Sequence, residues 1–155
     1  MNRLGCIKLY KEYENVNFYV LHFNDKEHDE FTDFLLRFKD DSKYRKDFEI
    51  LIAWLISISK TYAYERKFRP EKGASAVPIP SCKLRLYCHR VSDEILILCN
   101  GGVKTEGKAQ DCPNVGPIFN DANLLAKEIK LRKTRRKIII DGKFLRGDLE
   151  INIDN

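Results

Sequence analysis

The stretch that most constrains the fold is Lys83–Thr105, KLRLYCHRVSDEILILCNGGVKT. Its first half alternates, with Leu84, Leu86 and Cys88 on one face and Lys83, Arg85, Tyr87 and His89 on the other, the period of a half-buried strand. Its second half, Glu94–Asn100, is apolar on nearly every residue, as in a strand inside a sheet. The spacing predicts a β-hairpin, closed either by a two-residue Ser92-Asp93 turn or by a longer loop. A tight turn pairs Val91 with Glu94 and sets Arg85 opposite Asn100. Arg85, Tyr87 and His89 then share a face with Asn100, Leu98 and Leu96. Gly101-Gly102 ends the strand where the backbone must bend or be closely approached, and Lys104 follows at the mouth of that face. A guanidinium, a phenol, an imidazole, an amide and an ammonium on one surface suit a phosphate-bearing ligand.

The rest of the chain frames this hairpin. At 155 residues, 43% of them hydrophobic, the chain is long enough for one domain with a proper core. No apolar run approaches the roughly 18 residues of a membrane-spanning helix, and Met1–Lys8 lacks the apolar core of a signal peptide. Five cysteines without a CxxC pair fit free thiols in a reducing cytoplasm, and Cys82, Cys88, His89, Cys99 and Cys112 lack the spacing of a metal site, so neither metal nor cofactor is expected. The net charge of +5 and pI near 8.9 allow an anionic partner without demanding one.

In chain order, Met1–Asn15 is either a ragged start or an extra strand, and Val16–Phe23 reads as a strand. Asn24 or Asp25 is expected to cap a helix with an apolar stripe of Phe31, Phe34, Leu35 and Phe38. Asp40-Asp41-Ser42 is expected to cap a second helix, Lys43 to about Tyr64. Its apolar middle, Phe48–Ile58, makes it the candidate for the most buried helix, with Trp54 in the core. Lys67–Ser81 is a connector in which Phe68–Glu71 and Ala74–Ile79 can pair beside the hairpin. Glu106–Pro117 reads as a loop, and Asn120 or Asp121 starts a third helix with Ala122, Leu125, Ala126 and Ile129 on one face. Its end carries Lys or Arg at seven of the eleven positions 127–137. That run is either a solvated helix end or a nucleic-acid contact. A hairpin follows over Ile138–Leu145 with Asp141-Gly142 at its turn, and the tail Leu149–Asp154 alternates weakly. The pattern is α+β: an antiparallel sheet with two helices before the central hairpin and one after it, plus an extra C-terminal hairpin. It is read as a single domain over 1–155, with its core at about 16–130 and an extension over 131–155.

Leu84-Arg85-Leu86-Tyr87, the apolar Ile95–Cys99, Gly101-Gly102, Lys104-Thr105 and a following helix with Asn120-Asp121-Ala122 and Ala126-Lys127 resemble the RelE/HigB-like toxins, in their phage-derived type. The resemblance runs from about Phe18 to Lys130. It implies an endoribonuclease toxin of a type II toxin–antitoxin system that cleaves mRNA at the ribosome, is cytoplasmic, has no membrane partner, and is neutralised by an antitoxin encoded beside it. By that resemblance Arg85 and Lys104 stabilise the phosphate charge, while His89, Tyr87 or Lys108 carry protons. The expected RNA contacts are Arg69, Lys83, Asn100, Lys108, Lys130 and Arg132. The chain departs from the family at Gln110–Pro113, where many members carry an aromatic or basic residue, and in its greater length. The alternative is a non-catalytic relative that binds RNA or a protein through the same basic sheet face. Taken alone, Arg85 reads equally well as the partner of Glu71 or another acid at the sheet edge. The sheet face with Arg85, Tyr87, His89 and Asn100 is expected to be partly exposed, and Leu84, Leu86, Cys88 and Ile97 to pack on the first two helices.

Overall fold

A computed structural model describes residues 2–71, 74–76, 83–105 and 112–154, with residues 2, 69–71, 74–76 and 154 described through their backbone. The chain runs β1 (Asn2–Glu12), β2 (Asn17–Phe23), α1 (Glu30–Phe38), α2 (Arg45–Ser59), a 3₁₀ turn (Glu65–Lys67), β3 (Arg69–Glu71), β4 (Ala74–Ala76), β5 (Leu84–Ser92), β6 (Ile95–Val103), α3 (Gly116–Thr134), β7 (Ile138–Asp141), β8 (Phe144–Gly147) and β9 (Glu150–Asp154). Two helices precede the β5–β6 hairpin and one follows it. Seven strands form one sheet in the order β3-β4-β5-β6-β2-β1-β9, and β7-β8 pair separately.

The α+β class holds, but the sheet is mixed rather than antiparallel. Strand β2 runs parallel to β6, with Phe18 beside Leu96 and Val20 beside Leu98. A parallel pair needs a long crossover, and residues 24–94 supply it. The N-terminal stretch is a strand, β1, which accepts the tail as β9, with Arg3 beside Ile153 and Gly5 beside Ile151. Backbone pairing makes strands of a stretch and a tail whose alternation is weak.

Side chains alternate across the sheet and divide the core in two. Phe18, Val20, Leu84, Leu86, Cys88, Leu96 and Leu98 pack against α1 and α2. Tyr19, Leu21, Tyr87, Ile95, Ile97 and Cys99 pack against α3 and the β7–β8 hairpin. Ile97 therefore lies on the α3 side, not on the side of the first two helices. Phe34 is fully buried, which contributes about 1.5–3 kcal/mol relative to exposure.

Helix α1 begins later than its first acids suggest. Asp29, not Asn24 or Asp25, is the cap: its carboxylate accepts from Thr32 N at 2.8 Å and Thr32 Oγ1 at 2.7 Å. Helix α2 is shorter than expected and has no side-chain cap at Tyr44. It buries only Leu51, Leu55 and Ile58, while Ile50 and Ile56 are exposed. It is not the most buried helix, because α1 already covers β6 and β2, leaving α2 over β5. Trp54 is half-buried, edge-on to Phe68 at 5.1 Å. Helix α3 starts four residues early, with Pro117 in its first turn, and buries the expected face of Ala122, Leu125, Ala126 and Ile129.

The central hairpin turns one residue later than the sequence suggests. Ser92 pairs with Ile95 and Arg85 with Gly102. Tertiary contacts select this turn: Ala63 N donates to Asp93 O at 2.7 Å, Asn17 N donates to Glu94 O at 2.9 Å, and Arg90 reaches the Asp93 carboxylate. Register shifts between Leu86 and Cys88 and between Arg90 and Ser92 offset one another. At Gly101 a Cβ would fall 1.8 Å from Arg85 O, so this position admits only glycine.

The C-terminal hairpin forms, but Asp141 pairs with Phe144, so its turn is Gly142-Lys143 rather than the expected Asp141-Gly142; of the two only Gly142 takes a positive φ, 59°, as in a type II′ turn. Tyr19 Oη accepts Leu145 N at 2.9 Å, and Lys143 donates to Tyr13 O, which pins the hairpin to the main sheet. None of the helices is long and apolar enough to cross a membrane, among the described residues.

Candidate nucleic-acid interface

The register places Lys83, Arg85, Gly102 and Lys104 on one side at the far end of the hairpin. Lys104 N donates to Lys83 O at 2.8 Å, which extends the ladder past the glycine pair. Lys83 is exposed, and Arg85 and Lys104 are half-buried. The backbone before α3 closes over Gly102, where a Cβ would sit 2.8 Å from Asn114 O.

Farther along the same face the expectation of an open surface fails. Tyr87 is 0% exposed and His89 5%, because α3 lies across them, with the Tyr87 and Phe119 rings edge-on at 5.6 Å. Neither residue reaches the surface as a proton carrier would have to. Asn100 is not beside Arg85 at all. Like Leu96 and Leu98 it faces the other helical layer, where Arg37 Nη2 donates to its Oδ1 at 2.5 Å and its Nδ2 donates to Asp33 Oδ2 at 2.8 Å. Arg37 also donates to Gly101 O at 2.7 Å. Asn100, 4% exposed, thus fastens α1 to the end of β6. The later turn and the register shifts together move it off the predicted face.

That lock is part of a polar cluster at the carboxyl ends of the parallel strands β2 and β6, which sequence reasoning missed. Arg3 of β1 forms a two-pronged ion pair with Asp121 of α3, at 2.5 and 3.0 Å. Lys26 pairs with Glu30 at 3.1 Å. Burial, with the nearby Asp121 and Asp33 carboxylates, raises the Glu30 carboxyl above its usual range against the pull of Lys26. Partial desolvation also opposes ionisation at Asp33, but Asn100 and Arg37 outweigh it and hold that carboxyl below its usual range. No spacing rule links Arg3 to Asp121, 118 residues apart.

The basic end of α3 is exposed. Lys130 is exposed as a contact residue would be. Arg132 is half-buried and engaged, with Glu128 at 2.8 Å and Asp148 at 3.2 Å, and it also donates to Asp148 O and Glu150 O. Arg132 therefore ties α3 to the approach to β9. Lys127, Lys130, Lys133, Arg135, Arg136 and Lys137 are exposed, and none has an acidic partner among the described residues. The helix ends in a Schellman arrangement: Arg136 N donates to Lys133 O at 3.0 Å and Lys137 N to Arg132 O at 2.8 Å. Arg136 occupies the left-handed position, φ 59°, where glycine is the usual residue. The Lys and Arg density of 127–137 was the visible signal for this surface, whereas the strained position of Arg136 was not visible. Exposed Leu131 and Ile139 lie among these cations.

Lys108 and Cys82 lie outside the described residues, as does the side chain of Arg69. Cys6, Cys88, Cys99 and Cys112 are free thiols, and burial pushes the Cys88 and Cys99 thiols well above their usual range. Among the described residues no three His, Cys, Asp or Glu side chains gather as a metal site.

Comparison with known proteins adds no relative to this geometry: no family model matches the chain, and neither a curated protein nor a solved structure is significantly similar to it.

Proposed function

We propose that the protein binds RNA without cleaving it, and that the basic end of α3 is the contact surface. One observation carries this reading: Lys127, Lys130, Lys133, Arg135, Arg136 and Lys137 are exposed and lack acidic partners among the described residues. Cations left without partners at one helix end keep their full attraction for a phosphate backbone. Arg136 adds support, since a non-glycine residue held at positive φ costs about 1–2 kcal/mol that glycine would spare. Such a surface reads phosphates rather than bases, so binding is indifferent to sequence and sensitive to salt. The test is filter binding of a single-stranded RNA to the wild type and to a variant with Lys130, Lys133 and Arg135 changed to Glu. The reading requires a large loss in that variant and little change in Arg85→Ala. Equal loss in both, or none in either, contradicts it.

A RelE/HigB-like ribonuclease acting on ribosome-bound mRNA and held in check by an antitoxin is the second reading. It is favoured by the shared side of Lys83, Arg85 and Lys104 at the hairpin end. On that reading induced expression arrests growth, and Arg85→Ala or Lys104→Ala relieves the arrest with a loss of about a hundredfold or more in rate. Expression without arrest or mRNA loss excludes it.

A further inference from the structure

On the sheet face opposite α3, a cavity of about 350 Å³ opens where β1, α1 and α2 meet. Its walls include Tyr10, Tyr13, Phe31, Phe48 and Ile52, and Lys39 stands among them. We propose that this cavity binds a small amphiphile with one acidic group, its apolar body among the aromatic rings and its carboxylate held by Lys39 and by the hydroxyls of Tyr10 and Tyr13.

The volume lies at the small end of ligand pockets, which run from about 300 to 1,000 Å³, and an apolar lining with few converging polar groups is their usual make-up. The rings are already ordered by one another: Tyr10 stands edge-on to Phe31 at 5.3 Å, and Tyr13 edge-on to Phe18 at 5.0 Å. A ligand therefore meets preformed walls and spends little free energy on ordering them. The polar groups select its charge. Among the described residues the Lys39 ammonium has no acidic partner, and neither the Tyr10 nor the Tyr13 hydroxyl has a hydrogen-bond partner. The Asp29 carboxylate, whose charge adds to the rise of the Tyr10 phenol, accepts from Thr32 N and Thr32 Oγ1. Burial raises both phenols above their ordinary range, so they remain donors at neutral pH. One ammonium and two donors complement a carboxylate and leave a neutral alcohol or an amine poorly served. Its position on the α1–α2 side separates it from the basic end of α3.

Calorimetric titration of the full chain with decanoate and with decanol tests this assignment. The expected result is saturable binding of decanoate at least tenfold tighter than decanol. Lys39→Gln, an exposed substitution, brings decanoate down to the decanol level, and Ile52→Trp fills the cavity and abolishes both. Should Ile52→Trp fail to fold, decanoate-induced shifts of the Ile52, Leu55 and Ile56 methyl resonances in the wild type carry the same decision. Equal affinity for decanoate and decanol, no binding of either, or an unaltered Lys39→Gln overturns the proposal. So does a dimer that Ile56→Glu dissociates, which would assign the groove to a second copy.

Discussion

Arg136→Gly separates stability from binding. Arg136 sits one residue past the α3 C-cap at φ 59°, with its N–H on Lys133 O and that of Lys137 on Arg132 O. The left-handed conformation costs a side-chain-bearing residue about 1–2 kcal/mol. Glycine removes that cost but carries more freedom in the unfolded chain, which returns about 0.5–1 kcal/mol. The net expectation is a gain of about 0.5–1 kcal/mol, or roughly 1–4 °C in Tm for a chain of this size. The guanidinium is exposed and makes no ion pair among the described residues, so its removal costs little packing. RNA affinity moves the other way. One fewer phosphate contact reduces the slope of log K against log salt by about 0.7 for a single strand. Arg136→Ala is the control: it loses the cation and keeps the Cβ, so it weakens RNA binding equally and leaves stability within about 0.5 kcal/mol. Urea unfolding followed by circular dichroism reads the first quantity, and filter binding between 50 and 200 mM salt reads the second. A destabilised Arg136→Gly refutes the strain argument, and an unchanged salt slope refutes the role of Arg136 in binding.

Three further outcomes follow from the site geometry. Asn100→Ala removes the acceptor of Gly101 N at 2.7 Å and the links to Arg37 and Asp33, so urea unfolding should register a loss of about 2–4 kcal/mol while RNA affinity stays unchanged. Glu30, whose folded-state carboxyl is raised above the 4.5 of the unfolded chain, contributes stability below that pH and loses it as the pH rises through the folded value. Thermal unfolding from pH 4 to 7 should therefore show the wild type falling behind Glu30→Gln with rising pH, and parallel curves would argue against a shifted carboxyl. On the native protein, peptide mapping after treatment with a thiol reagent should find half-buried Cys6 modified before buried Cys88, Cys99 and Cys112.

Local chemistry was legible and long-range pairing was not. The alternation of Leu84, Leu86 and Cys88, the apolar run of β6 and the helical stripe of Phe31, Phe34 and Phe38 each reflect which face meets the core, and all lie where that logic puts them. The turn of the central hairpin did not follow from its own residues, because carbonyls at Asp93 and Glu94 are claimed by Ala63 and Asn17 far off in sequence. With the register moved, Asn100 left the candidate face. Tyr87 and His89 were legible as a face, but the helix covering it was not, since an amphipathic α3 can pack on either side of a sheet. The parallel pairing of β2 with β6 likewise has no local signature. At the basic end the charge was plain in the sequence. Which cations are spent on structure was not, and Arg132 differs from its neighbours through Glu128, Asp148 and Glu150.

The salt dependence of RNA affinity tests the binding surface most directly. If Lys127, Lys130, Lys133, Arg135, Arg136 and Lys137 all lie against phosphates, the slope of log K against log salt approaches about −4, and raising salt from 50 to 200 mM weakens binding roughly 300-fold. Neutralising Lys130, Lys133, Arg135 and Lys137 to Gln should bring the slope to about −1, with the fold unchanged by circular dichroism. A wild-type slope already shallower than −1, or a steep slope that survives those four substitutions, contradicts the assignment of RNA binding to the end of α3.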